Sequence, residues 1–447
     1  MVGPRYKTRT RLTESDERLA LLGGQPVHEK EWPAWPRAGM VAQRAVLDVL
    51  HSQRWTITAR TQRAQCYEQQ FGEMFAGYVG RRYGVPCSSG SSALSIALQS
   101  CGIGPGDEVI VPGMTWVACA SAVAHLGAVP ILVDISPSSL CMDPHAVAAA
   151  VGPATKAIMA VHMYSSRSDI ESLMKICHQY GLILIEDASQ AHGAMLGGRR
   201  TGSFGLVSVF SFQQTKLLTS GEGGIALTDD ADIYDRLQKL RADGRIYGKG
   251  EVGAGFYDLA DPGDLMGRNL CLSEFQAAIL LEGLQRLDRE NAHRKEMVAE
   301  LADGLSALGD IELVRDSLPP PSGATFYKIV LRFTGEAELS VGPENLARAL
   351  AAELNLPVEP LDRPLDRNPL YSPLSIPLIS RVVGGGERWN PRRFKLSAAV
   401  EAWNSCIVLP HQCLLGGKQD VEAIVTAMGK VRRHTCMLAA IDGERKP

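Results

Sequence analysis

The apolar residues of this chain fall into short unbroken runs separated by mixed segments. Glu108-Val109-Ile110-Val111-Pro112, Val129-Pro130-Ile131-Leu132-Val133-Asp134, Ala157-Ile158-Met159-Ala160-Val161 and Leu182-Ile183-Leu184-Ile185-Glu186-Asp187 show no alternation of polar and apolar positions. Runs of that kind are expected of strands covered on both faces. Between them lie stretches rich in Ala and Leu, such as Ser92–Ser100 and Val117–Leu126, that read as helices. The alternation predicts an α/β fold with a mostly parallel sheet.

Further along the pattern changes. Ser273-Glu274-Phe275-Gln276 has the form of a capping box. Leu280, Leu284 and Leu287, then Met297, Leu301, Leu305 and Leu308, recur at helical spacing. This predicts a long helix, broken at most once, joining a large unit to a smaller one. The proline-rich stretch 316–322 predicts a loop, Phe326–Phe333 a strand, and Gln419–Val431 an amphipathic helix. The expected division is an N-terminal arm over 1–60, a large domain over 61–309 that includes the connecting helix, and a smaller C-terminal α/β domain over 310–447. In the arm, the glycines and prolines of Leu19–Pro36 exclude a long helix, and Trp32 and Trp35 are expected to pack on the main body or on a partner subunit.

Composition narrows the function classes. Lys plus Arg number 46 against 49 Asp plus Glu, a net charge of -3, which gives no support to a nucleic-acid partner. No apolar run is long enough to span a bilayer, and the N-terminal residues lack the apolar core of a secretion signal. The ten cysteines are scattered with no C-x-x-C pair, which argues against a structural zinc site or a disulfide framework. A reducing cytoplasm is the expected location.

The candidate chemistry centres on Lys216, in Ser211-Phe212-Gln213-Gln214-Thr215-Lys216 ahead of Gly221-Glu222-Gly223-Gly224. A lysine presented on a turn after a strand can bond covalently to a carbonyl cofactor. Asp187 ends an apolar strand, where an α/β sheet presents functional groups. It either pairs with a cofactor's ring nitrogen or caps the next helix. Gln190, three residues on, can hydrogen-bond a ring hydroxyl of the same cofactor. Gly90, Ser91 and Ser92 sit in a Ser/Gly turn before a helix, where free amides and the helix dipole suit a phosphate, although such a turn is also a plain cap. Ser211 can add a hydroxyl there. Trp116 can stack on a ring or serve as core. His162 and His192 are either pocket or core residues, and Glu222 either lines the site or orders its loop.

Taken in order, Ser89–Leu94, Trp116, Asp187–Gln190, Ser211–Lys216 and Gly221–Gly224 resemble the DegT-type sugar aminotransferases. The resemblance runs from about Trp32 to the C-terminal helix. It implies pyridoxal phosphate (PLP) as cofactor and PLP fold type I, the aspartate aminotransferase-like fold. It further implies that Lys216 carries the cofactor and moves the proton, Asp187 pairs with the pyridine nitrogen and Gln190 with the ring oxygen. Trp116 would stack on the ring, and Gly90, Ser91 and Ser211 would hold the phosphate. Asn269 would reach the phosphate of a neighbouring subunit, making a homodimer with shared active sites. The sequence departs from the usual wording at Ser91, at Cys271-Leu272 and at Ser165-Ser166. The segments Leu21–Val27, Trp32–Pro36 and Arg54–Ile57 are similar to the aminocyclitol branch, which moves an amino group from L-glutamine to inosose-type ketones in aminoglycoside synthesis. A 3-amino-5-hydroxybenzoate synthase-type activity and a nucleotide-linked ketosugar substrate are the alternatives. A 3-dehydratase is disfavoured because those relatives replace the lysine with histidine. Tyr164, Tyr327, His162 and His192 are candidates for reading substrate hydroxyls.

Overall fold

A computed structural model describes residues 18–57, 66–248, 259–319, 323–384 and 386–443. Residues 1–17, the end of the expected arm and the last prolines of the 316–322 loop lie outside them.

Seven strands form the large sheet: β1 (Tyr83–Cys87), β2 (Glu108–Pro112), β3 (Val129–Val133), β4 (Thr155–Val161), β5 (Ile183–Asp187), β6 (Val207–Ser211) and β7 (Gly224–Thr228). Their order is β1-β7-β6-β5-β4-β2-β3. The strands from β3 to β6 are parallel, and β7 runs against both its neighbours. The four apolar runs of the sequence are β2 to β5. They are buried because helices cover both faces, which is why they lack alternation.

Helix α1 (Met40–Ser52) belongs to the N-terminal segment, and α2 (Tyr67–Val79) packs on β1. Neither is among the sequence expectations, although Phe71, Phe75 and Val79 of α2 stand four apart and are buried. The Ala/Leu-rich segments are α3 (Gly90–Ser100) and α4 (Ala118–His125).

The long helix α5 (Glu274–Ser306) is continuous, and its capping box is formed by Ser273 and Gln276. The apolar stripe pauses between Leu287 and Met297 because polar side chains occupy its inner face there. Asn291 donates to the His192 carbonyl at 2.9 Å, and Arg294 donates to Asn291 Oδ1 at 3.0 Å.

A second, antiparallel sheet follows: β8 (Ile311–Val314), β9 (Lys328–Phe333), β10 (Glu359–Pro360) and β11 (Cys406–Pro410), in the order β8-β9-β11-β10. Its core joins the end of α5 to α6 (Pro343–Leu354) and α7 (Lys418–Arg433), through Leu301, Leu350 and Ile424 among others. Each is fully buried, so truncation to Ala is expected to cost about 2–5 kcal/mol. Among the described residues no helix is long and apolar enough to cross a membrane.

The N-terminal segment crosses both parts. The Ala20 amide donates to Glu353, and Lys430 donates to the Gln25 carbonyl at 2.7 Å and pairs with Glu353 at 2.9 Å. Trp32 donates to the Leu354 carbonyl, and Trp35 to the Gln214 carbonyl at 3.0 Å. Both tryptophans therefore pack on the body of their own chain.

Candidate active site

Strand ends build the site. Asp187 closes β5 and Ser211 closes β6, neighbours in a parallel sheet, so both side chains arrive at the same edge. That edge opens into a cavity of about 770 Å³. Lys216, Asp187, Gln190, Trp116, Gly90, Ser91 and Ser211 all line it. Glu222, Tyr164 and Tyr327 line it as well.

Asp187 is 5% exposed. Its Oδ1 accepts from the Ser189 amide at 3.0 Å, which fixes the carboxylate, and its Oδ2 accepts from the Cys119 thiol at 3.2 Å. Burial and the Asp187 charge push that thiol well above its usual range, so it stays protonated and donates. Gln190 Oε1 accepts from the Tyr164 amide at 2.7 Å, which sets the orientation of the Gln190 amide.

Lys216 follows a turn closed by its own amide on the Gln213 carbonyl. Its Nζ lies 4.0 Å from the centre of the Tyr327 ring. Burial pushes the Tyr327 phenol up, but the Lys216 and Lys328 charges, with a hydrogen bond to Thr215 at 2.9 Å, more than offset it and leave the phenol below its ordinary value.

At the start of α3, Ser89 caps the helix by accepting from the Ser92 amide at 3.0 Å. The Gly90 and Ser91 amides, in the first turn, have no partner within the helix and belong to the anion-binding end of its dipole. Gly90 has no room for a side chain: a Cβ there would sit 2.7 Å from Ser211 Cβ. The glycine lets the helix end and the β6 end approach closely.

These residues fit PLP. The cavity offers a buried carboxylate, a primary amine, a two-amide anion cradle with the Ser211 hydroxyl, and an indole that is 53% exposed. An aromatic left that open is suited to stack on a flat ring.

Other expected residues fall elsewhere. The Ser92 hydroxyl does not line the cavity; it is bonded to Ser88 and Ser89 at 3.0 and 2.9 Å, so it tightens the cap. Asn269 is exposed, outside the cavity lining, and bridges to Ala242. His162 is fully buried behind the site. Its Nδ1 accepts from the Ser168 amide, so Nε2 carries the proton and donates to Glu186 at 2.9 Å. His192 is buried among Phe75, Phe210 and Phe212. Burial and the Lys216 charge push it down to about 3, so it is a neutral core residue.

The opposite wall was not read from the sequence apart from its tyrosines. Tyr164 has its hydroxyl on Asp362 at 2.8 Å, and burial followed by the Asp362 charge raises its phenol well above the usual value. Lys328 opens β9 and pairs with Glu359 of β10 at 2.8 Å. Lys328 and Glu359 begin two different strands and Asp362 lies on a loop, with no motif spacing among them. Only their three-dimensional convergence marks them.

Residues 39–378 match the DegT/DnrJ/EryC1/StrS aminotransferase family. The chain is 44% identical to an L-glutamine:scyllo-inosose aminotransferase of Streptomyces griseus, over 93% of this chain and 98% of that one. It is 43% identical to an L-glutamine:2-deoxy-scyllo-inosose aminotransferase of Streptomyces kanamyceticus, over 95% and 99% of the two chains. Among solved structures, 3-amino-5-hydroxybenzoic acid synthase superimposes with a TM-score of 0.76 at 29% identity, covering 90% of this chain and 99% of that one. With a lysine, a carboxylate and an anion cradle on one cavity and a family match across most of its length, the chain belongs to the DegT/DnrJ/EryC1/StrS aminotransferase family.

Proposed function

We propose that this PLP-dependent aminotransferase moves the amino group of L-glutamine to a cyclic polyol ketone, 2-deoxy-scyllo-inosose or scyllo-inosose, in aminoglycoside synthesis. The carrying observation is the convergence of Lys216 and Asp187 on one cavity in a chain 40–44% identical to seven aminotransferases named for these ketones. The benzoate-type alternative rests on lower identity, 29%.

Bound PLP supplies an aldehyde carbon that carries nitrogen and a ring that accepts electrons. Lys216 Nζ would be the amine that holds the cofactor's carbonyl carbon, and as a free amine it would be the base that carries the donor's α-proton. Tyr327, under that amine, and Thr215 limit where Nζ can swing. Asp187 would keep a proton on the pyridine nitrogen, and Ser189 and Cys119 hold its carboxylate in place. Gln190, oriented by the Tyr164 amide, would donate to the ring oxygen. Gly90, Ser91 and Ser211 would take the phosphate, and Trp116 would cover the ring. Donor and acceptor use the cavity in turn.

Three finer points belong to the same reading. The protein is a homodimer in which Asn269, exposed and outside its own cavity, reaches the neighbouring site. The smaller domain begins near residue 310. The location is cytoplasmic. Mass spectrometry of protein, PLP, L-glutamine and 2-deoxy-scyllo-inosose, with scyllo-inosose in parallel and Lys216→Ala as control, tests the assignment. The expected result is a Lys216-dependent aminated cyclitol; donor turnover without that product would remove the cyclitol assignment.

A further inference from the structure

A transaminase of this kind must hold two unlike molecules in one place. The amino donor is an α-amino acid and brings a carboxylate; the polyol ketone is neutral. Among the described residues lining the cavity, the cations are Lys216 and Lys328. Lys216 is committed to the chemistry. Its carboxylates are Asp187, Glu222, Glu359 and Asp362, which repel a second anion.

Lys328 is held firmly. It begins β9 opposite Pro410 of β11, next to Tyr327, and its side chain is 21% exposed. Its partner is held loosely. Glu359 lies in a two-residue edge strand, and its side chain is 61% exposed. A carboxylate so open to water leaves its partner at little cost, because exposed ion pairs contribute about 0–1 kcal/mol.

We propose that Lys328 receives the α-carboxylate of the amino donor, displacing Glu359, and that Glu359 takes Lys328 back when the neutral ketone occupies the site. One ion pair is exchanged for another, so the cavity is never left with an unpaired ammonium in either half of the cycle. Burial works against the charged Lys328, yet Tyr327, Glu359 and Asp362 hold it protonated, as an anion receptor requires.

The inference rests on the proposed donor and acceptor. The test uses the PLP-loaded enzyme and follows each half-reaction through the cofactor's absorption. The donor half compares L-glutamine with L-glutaminol, which lacks the α-carboxylate. The acceptor half uses the aminated enzyme and 2-deoxy-scyllo-inosose. Lys328→Met is expected to raise the donor-half KM for L-glutamine roughly 10- to 100-fold, the range of a charge-assisted hydrogen bond, and to leave L-glutaminol unchanged. Lys328→Arg should restore most of the preference. Glu359→Gln should lower the KM for L-glutamine, since it removes the competing carboxylate. Equal effects of Lys328→Met on both donors would overturn the proposal, as would a raised KM in Glu359→Gln. A donor half with no aminated inosose would overturn the acceptor assignment alone, and the glutamine-to-glutaminol ratio would still decide Lys328.

Discussion

The two walls of the cavity are built on different terms. On the large-sheet wall, Asp187 and Ser211 stand at the ends of adjacent parallel strands, nearly buried, and main-chain amides at Ser189 and Gln213 bond their side chains. On the small-sheet wall, the charged groups are Lys328, Glu359 and Asp362, tied to one another or to Tyr164, and Glu359 is mostly in water. Side chains bonded to main-chain amides keep their partners; side chains paired in an exposed ion pair can trade them. The wall that must present the same atoms in both half-reactions is the rigid one, and the wall that meets two different substrates is the exchangeable one.

The strongest challenge to this contrast is Lys216→Ala. Turnover is expected to fall by a factor of about 10⁴ or more, since nucleophile and proton carrier are lost together. Retained turnover by mass spectrometry would sink the assignment. Asp187→Asn, similar in shape but uncharged, should slow both half-reactions about 100-fold or more by stopped-flow absorption. An effect on one half only would place Asp187 on the exchangeable side. The Lys328 and Glu359 variants should shift the donor-half KM for L-glutamine in opposite directions. Tyr164→Phe leaves Asp362 without its hydroxyl partner and is expected to cost about 1–2 kcal/mol in denaturant unfolding.

Acid sensitivity probes the core behind the rigid wall. His192 has an ordinary value of 6.5, pushed down to about 3 in the folded state. Below 6.5 the unfolded chain binds a proton that the folded chain refuses, so stability falls as pH falls, until about 3. One unit below 6.5 the loss is about 1.4 kcal/mol. His192→Phe should remove that part of the slope in thermal melts between pH 7.5 and 5.5; an unchanged slope would mean His192 takes up its proton in the folded state.

The rigid wall was legible in the sequence because its residues end strands or open helices, and those positions carry local signals. Asp187 closes a fully apolar run, and Lys216 precedes a Gly-rich turn. The exchangeable wall was legible only through Tyr164 and Tyr327. Lys328 and Glu359 sit 31 positions apart and meet because β10 and β9 both pair with β11. No spacing rule encodes such a meeting. The pause in the α5 stripe suggested a break for a related reason. Asn291 and Arg294 look like surface residues in a one-dimensional pattern, and only the fold shows that their partners are inside. Ser92 misled in the other direction, since its turn signal was genuine while its hydroxyl was consumed by the cap.

The bond from Trp35 to the Gln214 carbonyl has a practical side. The segment that carries Trp35 also covers the Lys430–Glu353 pair at Gln25 and Ala20, so one stretch of chain is fastened to the small core and to the turn two residues before Lys216. A protease cut between residues 25 and 35 would therefore separate two fastenings that normally report to each other. Limited digestion of that stretch would register twice, as a lower melting temperature and as a looser lysine turn, although no residue of the catalytic set had been touched.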